Sequence, residues 1–575
     1  KPLRKAMMKK KYSRSCPLIQ LFAAASVTSC LVTGAIAGSL NGTVRDPGGK
    51  AIVGAIVTLT DDRGVSELVY TNYDGAFHLA TDMEGSLELW IRKRYHRDDL
   101  RKLDLAQDAN ISLEAVLRPL TDLNELSEDH PTLSHFSLIA FDPNETALFS
   151  RPNFARDCVS CHSLGEAVTR TKRPLEDWTA TVGRMHAYLG NGDPELALAR
   201  AEMLAKAFDG TPATSNSVVP TDPLLFAAKV YRWRLDGSLV PHDPAVHKGN
   251  NRVYTVDMML GAILETDLKT GETLTHIEPA DGMPPGGVFT QMGMPAPYGM
   301  KVPRAPHSLA EGKDGKFYMT DLVGNSIAMF DPKTRKFEHH QIDPAARALY
   351  PHTIRTDKEG ILWFTIAFSN QVGRFDPESG NMKIIPLPDS ASLSIVGGPS
   401  PYGIDINPKD GSVWYTKLAA DRIGRIDPKT LEIKEFDSPV RGPRRQRFDA
   451  AGRLWTAGFS EGAIVRIDVD SWNSKIFRLP VFAPDEVPTP YALAIHPGTQ
   501  EVWVNDTMLD LVWRFLPDEE RFIAYPLPIK GTYTREFTFT REGWACTTNN
   551  SLNQFIEGGV PELICIDVDT KEAKK

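Results

Sequence analysis

A repeat with a period of about 40 to 50 residues fills more than half of this 575-residue chain and constrains its fold more than any other feature. Copies such as "PHTIRTDKEGILWFTIAFSNQVGRFDPESGNMKIIPL" contain four short β-prone runs separated by turns, a pattern typical of one propeller blade. The copies begin at Pro241, Pro306, Pro351, Pro401, Pro443, Pro490 and Thr534. Four strands per copy favour a closed ring over a linear solenoid, because closure leaves no open sheet edge. Residues 220–575 are therefore predicted to form a seven-bladed β-propeller.

The N-terminal residues 1–37 are predicted to be a signal peptide. A basic run precedes the apolar stretch "PLIQLFAAASVTSCLVTGAIA", and Ala35-Ile36-Ala37 is a small-residue cleavage pattern. The alternative is the lipobox-like "VTSC", which would leave a lipid anchor on Cys30. Both interpretations predict export to the periplasm or beyond it. No later run is long and apolar enough to span a bilayer.

Residues 38–118 are predicted to form a small β-sandwich. The segment alternates apolar and polar residues between turns such as Asp-Pro-Gly-Gly. The runs "GTVRDPGGKAIVGAIVTL" and "TNYDGAFHL" resemble the carboxypeptidase regulatory-like domain, a transthyretin-like sandwich. The resemblance implies a passive spacer or docking role.

Residues 119–215 contain the sequence Cys158-Val-Ser-Cys161-His162. This spacing lets two thiols form thioethers to the vinyl groups of a haem while the imidazole binds the iron. A zinc site is the alternative, but the neighbouring sequence has no second cysteine pair to complete tetrahedral ligation. One covalent haem c is therefore expected, with the metal-binding side chain of His162 as its fifth ligand.

The sequence after the cysteine pair has helical apolar spacing, interrupted by Asn-Gly-Asp-Pro. Trp178, Val182 and Met185 resemble the W-x-x-x-V-x-x-M pattern of mono-haem class I cytochromes c. The resemblance implies a small α-helical cytochrome c domain in which Met185 is the sixth iron ligand. His186 and Met203 are the alternatives.

The second residue of each repeat is polar or aromatic, and all seven are expected at one end of the central channel. A packed core would not require such a ring, so it predicts a binding or catalytic funnel. The alternative is that these side chains hold neighbouring loops together. The seven candidate residues are His242, His307, His352, Tyr402, Arg444, Tyr491 and Arg535.

The blades resemble those of virginiamycin B lyase in the motifs "PYGIDI", "LWFT" and "IGRID". The resemblance implies inner-strand histidines that work with glutamates and magnesium in an elimination reaction. This chain departs from the pattern, since Ile366 and Lys417 stand at the carboxylate positions. Asp257 and Asp321 occupy the same offset in the first two blades, where they and the histidines predict a divalent metal site. The alternative for both aspartates is a role as local turn acceptors.

Charge and cysteine content limit the remaining classes of function. The formal net charge is −8 and no basic stripe follows the N-terminus, which argues against a nucleic-acid partner because phosphate binding needs clustered Lys and Arg. Cys546 and Cys565 lie on two predicted strands of the last repeat and are expected either to form a disulfide or to stay as buried thiols.

These features together predict a mainly β, exported redox protein. We expect a periplasmic oxidoreductase or electron-transfer protein, with a small substrate at the propeller mouth and a redox partner protein. Two alternatives remain. One is a metal-dependent lyase with an auxiliary cytochrome, and the other is a non-enzymatic electron carrier or cell-surface interaction protein.

Overall fold

The computed structural model of the chain describes residues 38–142, 144, 148–215, 217–549 and 561–568. The signal-peptide prediction, with its cleavage pattern and the alternative lipid anchor at Cys30, lies outside these residues. No helix in the described ranges is both long and apolar enough to cross a membrane.

The first described segment is a two-layered β-sandwich. Apolar side chains of the two layers face each other and form one hydrophobic core, because side chains on a strand alternate between its two faces. The buried members include Leu40, Val57, Leu59 and Leu89. β1, β4 and β7 form one layer, and β2, β3, β5 and β6 lie in the other. The strands are β1 (Gly38–Arg45), β2 (Ile56–Thr60), β3 (Val65–Tyr70), β4 (Ala76–Thr81), β5 (Gly85–Arg92), β6 (Asp99–Leu105) and β7 (Asn110–Val116).

A helical segment follows the sandwich. Its helices are α1 (Leu123–Glu128), α2 (Thr132–Phe136), α3 (Arg151–Cys158), α4 (Leu175–Tyr188) and α5 (Pro194–Ala207). The Asn-Gly-Asp-Pro break separates α4 from α5, and the Asp193 carboxylate caps α5 by accepting from the Glu195 and Leu196 amides. Trp178 and Val182 of α4 share one hydrophobic core with Phe459 and Tyr533 of the repeat region. The helical segment therefore packs directly on the repeats.

Six four-stranded antiparallel sheets follow, each made of four consecutive strands. The strands of the first three are β9 (Pro241–Val246), β10 (Val253–Asp257), β11 (Ala262–Thr266), β12 (Thr273–Ile277), β13 (Pro306–Glu311), β14 (Phe317–Asp321), β15 (Ser326–Asp331), β16 (Lys336–Gln341), β17 (Pro351–Thr356), β18 (Leu362–Ile366), β19 (Gln371–Phe375) and β20 (Met382–Pro386). The strands of the next three are β21 (Pro401–Ile406), β22 (Val413–Lys417), β23 (Arg422–Ile426), β24 (Ile433–Asp437), β25 (Pro443–Phe448), β26 (Leu454–Gly458), β27 (Ala463–Ile467), β28 (Ser474–Arg478), β29 (Pro490–Ile495), β30 (Val502–Asp506), β31 (Leu511–Leu516) and β32 (Arg521–Pro526). Short helices connect some strands: α6 (Gly287–Gln291) and 3₁₀ turns at Pro223–Ala227, Pro297–Gly299 and Pro344–Ala346.

The seventh blade combines strands from both ends of the repeat region. It contains β33 (Thr534–Phe539), β34 (Ala545–Asn549), β35 (Glu562–Asp567) and the earlier strand β8 (Lys229–Arg234), which pairs antiparallel with β35. The first strands of successive blades are neighbours around the ring, and β33 lies beside β9. The ring is therefore closed, and the predicted β-propeller is confirmed.

Blade seven also continues into the sandwich. β8 pairs with β3 along its other edge, so one eight-stranded sheet runs in the order β33-β34-β35-β8-β3-β2-β5-β6. A Lys229–Glu67 ion pair of 2.8 Å supports this junction. The N-terminal sandwich is thus a lateral extension of a blade, a connection that its resemblance to a spacer domain did not predict.

The innermost strand of every blade carries a β-bulge just after its first residue. In the third blade Pro351 lies opposite Ile366, whereas Ile354 lies opposite Phe364, so three steps on one strand match two on the other. The other six blades have the same register shift. A bulge redirects side chains that would otherwise alternate between faces. Two consecutive residues, such as Arg444 and Arg445, consequently both reach the central channel.

Cys546 and Cys565 are directly paired across β34 and β35 and form a disulfide. Of the two sequence interpretations, the disulfide is therefore the one the structure contains.

Candidate functional site

The seven predicted ring residues form a continuous stack around the propeller axis, and all of them are buried. The ring centroids of His242 and His307 are 3.9 Å apart, those of His307 and His352 are 4.1 Å apart, and those of His352 and Tyr402 are 3.9 Å apart. Burial and the charge of Arg535 lower the pKa of His242 to about 3. The imidazoles are therefore neutral around pH 7.

Arginine and tyrosine complete the stack. The Arg444 guanidinium carbon lies 4.4 Å from the Tyr402 ring centroid and 3.8 Å from that of Tyr491. Arg535 donates to the Tyr491 hydroxyl at 3.1 Å, and the hydroxyls of Tyr402 and Tyr491 are 3.3 Å apart. Burial by itself raises the pKa of Tyr491, but Arg444, Arg535 and Arg445 lower it to about 8. The cations thus favour the phenolate of this one tyrosine.

A second buried layer of ion pairs crosses the channel next to the ring. Arg445 contacts Asp243 at 2.7 Å and Glu536 at 2.6 Å, and Arg355 contacts the same Glu536 at 3.0 Å. Asp243 also accepts from the His242 ring at 2.8 Å. The channel beside the ring is therefore occupied by charged side chains.

The Cys158–His162 loop covers the ring. Arg444 donates to the Ser160 hydroxyl at 3.0 Å and to the Ser160 carbonyl at 2.9 Å. Arg535 donates to the Cys161 carbonyl at 2.8 Å, and the Tyr533 hydroxyl donates to the Val159 carbonyl at 2.7 Å. The structure thus places the predicted funnel residues under this loop instead of at an open mouth. That arrangement is the one described by the alternative interpretation, in which the ring holds neighbouring loops.

On its other side the loop borders a cavity of about 380 Å³, a size typical of ligand sites. Cys158, Cys161 and His162 all line it. Most of the remaining wall is apolar or aromatic and is built by α4 and its neighbours. The main members are Leu164, Trp178, Val182, Met185, His186, Leu189 and Leu204.

His162 is oriented for metal binding. Its Nδ1 lies 2.6 Å from the Ser163 carbonyl, to which it donates, and this leaves Nε2 as the nitrogen with a lone pair. Burial lowers the pKa of His162, so the ring is neutral. A neutral imidazole held by a carbonyl is the form in which histidine binds a metal.

The cavity residues fit a covalently attached haem. Two thiols and an imidazole line the same cavity as a largely apolar wall, and apolar surroundings are what the porphyrin faces require. The haem carboxylates need donors, and the cavity is also lined by Arg173 and Arg184. The Arg173 guanidinium carbon lies 4.5 Å from the Trp178 ring centroid, and among the described residues Trp178 Nε1 has no hydrogen-bond partner.

The sixth ligand position has two candidates on α4. Met185 and His186 both line the cavity, whereas Met203 packs against the hydrophobic core and is not part of the lining. Met185 is half-buried and His186 is fully buried, and burial lowers the pKa of His186 to about 4. Among the described residues neither ring nitrogen of His186 has a hydrogen-bond partner, so both candidates remain, and Met185 is the one that the cytochrome resemblance implies.

Asp257 and Asp321 are the last residues of β10 and β14, where each accepts hydrogen bonds from neighbouring turns. Asp257 accepts from the Val240, Met259 and Leu260 amides and from the Ser238 hydroxyl. Asp321 accepts from the Ala305 and Gly324 amides and from Arg304. These bonds occupy the oxygens that a metal would need. Within the described ranges no group of three or more His, Cys, Asp or Glu is placed to hold a metal ion, so the predicted cluster with His242 and His307 is not assembled.

The two positions at which the resemblance places glutamates have structural roles. Ile366 is fully buried in the hydrophobic core between blades. The Lys417 ammonium pairs with Glu435 at 2.6 Å. Neither side chain supplies a base for elimination.

Several functional neighbours escaped the sequence analysis. Arg445 and Glu536 directly follow predicted ring residues, but only the bulge turns them toward the channel. Tyr298 lies in the long insertion between the first two blades, lines the cavity, and adopts a left-handed backbone conformation with φ of 54°. The length of this insertion was the one available signal.

The fold and site define a β-propeller protein that carries a Cys-x-x-Cys-His loop on the axial end of its ring. A sequence profile described as the Virginiamycin B lyase family matches residues 299–531, so the propeller is virginiamycin B lyase-like, as its motifs predicted. No curated protein sequence matches the chain.

Solved structures similar to this chain include other propellers. Virginiamycin B lyase from Staphylococcus aureus is 18% identical with a TM-score of 0.46, covering 59% of this chain and 99% of that chain. A streptogramin B lyase is 16% identical with a TM-score of 0.47, covering 59% and 97%. The U3-55K structure is 9% identical with a TM-score of 0.45, covering 58% and 98%.

Proposed function

We propose that this protein is an exported c-type cytochrome joined to a β-propeller, and that it works as a periplasmic oxidoreductase or electron-transfer protein. One observation carries the proposal. Cys158, Cys161 and His162 line a single, largely apolar cavity, and their loop is hydrogen-bonded to the propeller ring. When bound there, a haem supplies one-electron redox chemistry.

The chain's own side chains have separate tasks in this function. Cys158 and Cys161 would provide the thioether sulfurs, and His162, fixed by the Ser163 carbonyl, would provide an imidazole ligand to the iron. Leu164 and Val182 line the cavity and would limit the access of water to a haem held there. Trp178 Nε1, Arg173 and Arg184 are the donors available to the two carboxylates.

The propeller contributes rigidity and charge to the redox site. Arg444 and Arg535 hold the carbonyls of residues 160 and 161, so the loop keeps one position relative to the ring. These buried cations would also favour the reduced form of a haem held by the loop, because reduction lowers the positive charge of its iron. We assign the ring a positioning role in electron transfer.

An optical spectrum of the protein expressed in a periplasm tests the proposal. We expect one c-type haem per chain by pyridine haemochrome assay, with a spectrum that changes on dithionite reduction. The double variant Cys158→Ala/Cys161→Ala should lose covalent haem, whereas the matched variant Cys546→Ala/Cys565→Ala should retain it. A haem-free wild-type protein would overturn the proposal.

A metal-dependent lyase is the second candidate, and the family match over residues 299–531 favours it. The residue types at positions 366 and 417, together with the loop that covers the ring, argue against an elimination site there. The test is cleavage of a streptogramin with and without magnesium. We expect no cleavage. Magnesium-dependent turnover that ignores haem redox state would make the lyase the better assignment.

A further inference from the structure

A second space, the side hollow, lies next to the haem cavity. It has a volume of about 300 Å³ and is bordered by the end of α4, the insertion between blades one and two, and the third blade. Its walls include Tyr188, Leu189, Phe289, Phe368 and Gly398. The side hollow is separate from the cavity beside the Cys158–His162 loop. Tyr188 and Leu189 line both spaces.

The lining of the side hollow selects for an uncharged, aromatic ligand. None of the side chains that border it is charged. Phe368 is held rigidly, since its ring stacks on Tyr350 at 4.3 Å with an angle of 7° and meets Phe289 edge-on at 6.3 Å. Fixed aromatic rings favour offset or edge contacts with another aromatic ring. A charged ligand would lose its hydration without gaining an ion pair.

A small polar space extends the side hollow toward the loop. It measures about 30 Å³, enough for a hydroxyl group or one to two water molecules. Leu189 and Phe368 line both spaces, and Ser160, Cys161 and Tyr298 line the polar one. Arg156 also borders the polar space, but its guanidinium is already paired with Asp421 at 2.9 Å. An aromatic ring in the side hollow can therefore direct a hydroxyl group toward Cys161.

We propose that the side hollow is the binding site for a small, uncharged phenol whose hydroxyl group occupies the polar space. The inference rests on the proposed function, because it names the substrate class of the oxidoreductase. It assigns substrate recognition to the edge of the propeller beside the loop. From the covered ring on the axis, Tyr402 borders the polar space.

Binding of 4-fluorophenol, followed by fluorine NMR, tests the site without using activity. The variant Gly398→Val fills the hollow, and a Cβ at this glycine meets no atom within 4 Å, so the fold is expected to tolerate it. The matched control is Gly192→Val, which also has open space around its Cβ but lies on the exposed loop before α5. We expect saturable binding to the wild type, unchanged binding to the control, and affinity weaker by about tenfold or more in Gly398→Val.

Three results would overturn the site: no saturable binding by the wild type, equal affinity in both glycine variants, or equal binding of 4-fluorobenzoate. The haem content of the same samples separates this inference from the proposed function. Haem without phenol binding refutes only the site. Phenol binding without haem refutes the cytochrome and leaves a phenol-binding propeller.

Discussion

Arg444 is a fully buried guanidinium whose hydrogen bonds go to neutral oxygens. Its partners are the Ser160 hydroxyl and carbonyl and the Tyr402 hydroxyl. A buried charge paired with neutral groups is costly, and its field is poorly screened. Arg444 should therefore affect the redox site more than a surface arginine does.

The variant Arg444→Gln removes this charge and the forked contact with Ser160. We expect the haem reduction potential to fall, because the reduced form loses a stabilising cation. A tenfold change in a one-electron equilibrium is about 59 mV, and we expect a fall of that order. Potentiometric titration measures it, with Arg466→Gln as control, since Arg466 packs on Trp455 at the outer part of a blade. Equal reduction potentials in the two variants would contradict the expected effect of Arg444 on the haem.

Tyr491 should ionise at unusually low pH. It faces Arg444, Arg445 and Arg535 as well as the Tyr402 hydroxyl, and its pKa is about 8 against an ordinary value of 10. Because the folded pKa is the lower one, the resulting stability is fully present above pH 10 and is lost as the pH falls through 8.

Near-ultraviolet absorbance during a pH titration measures this ionisation. One phenolate should form near pH 8 in the wild type and be missing in Tyr491→Phe. It should persist in Tyr533→Phe, because burial raises the pKa of Tyr533 well above its usual range. A titration step that survives in Tyr491→Phe would assign the low pKa to another group.

Met185 is the residue at which the resemblance and the cavity agree. A thioether ligand raises the potential of a c-type haem, so Met185→Ala should lower the potential and change the spectrum at the sixth position. His186→Ala is the matched control from the same wall of the cavity. If the control changes the spectrum and Met185→Ala does not, His186 is the ligand.

At the scale of elements, the repeat predicted the strands well because each blade has local turn chemistry and alternating burial. The hairpin of β17 and β18, for example, follows directly from the two β-prone runs and the intervening turn of "PHTIRTDKEGILWFTI". The bulges could not be predicted, since they depend on how the inner strands crowd around the axis. Without them, the roles of Arg445 and Glu536 stay hidden.

The candidate site was predictable in its chemistry but not in its position. The spacing of Cys158, Cys161 and His162 predicts a haem, and Trp178 and Val182 lie on the predicted helix that lines the cavity. Nothing in the sequence indicates that residues 159–161 bind side chains about 280 to 370 residues further on. Such long-range contacts arise only after the ring has closed, so local patterns do not encode them.

The disulfide between β34 and β35 should stabilise the seventh blade. It closes a loop with a sequence separation of 19 residues, for which a contribution of about 3 kcal/mol is expected. In chemical denaturation, the free energy of unfolding of the wild type should fall by this amount when the disulfide is reduced. Cys546→Ala/Cys565→Ala should be equally destabilised and insensitive to reductant. Wild-type stability that is unaffected by reductant would contradict the expectation.

At the scale of the whole molecule, the three segments form one connected body. The sandwich shares an eight-stranded sheet with blade seven, and the helical segment shares a hydrophobic core with the propeller. The sequence resemblances suggest three separate domains. In the structure the shared sheet and the shared core join these segments. A substitution in the ring can therefore alter the position of the Cys158–His162 loop without any hinge motion.

The composition of blade seven also sets an order of assembly. Its strand β8 is synthesised before the other blades, but its partner β35 lies at residues 562–567, near the end of the chain. Until β35 arrives, the ring is open and the Cys158–His162 loop has no propeller against which to rest. In the proposed cytochrome, both thiols would be accessible for haem attachment during this interval, before the completed ring covers the loop. A chain that closed its last blade too early would lock its cysteines away before they could be used.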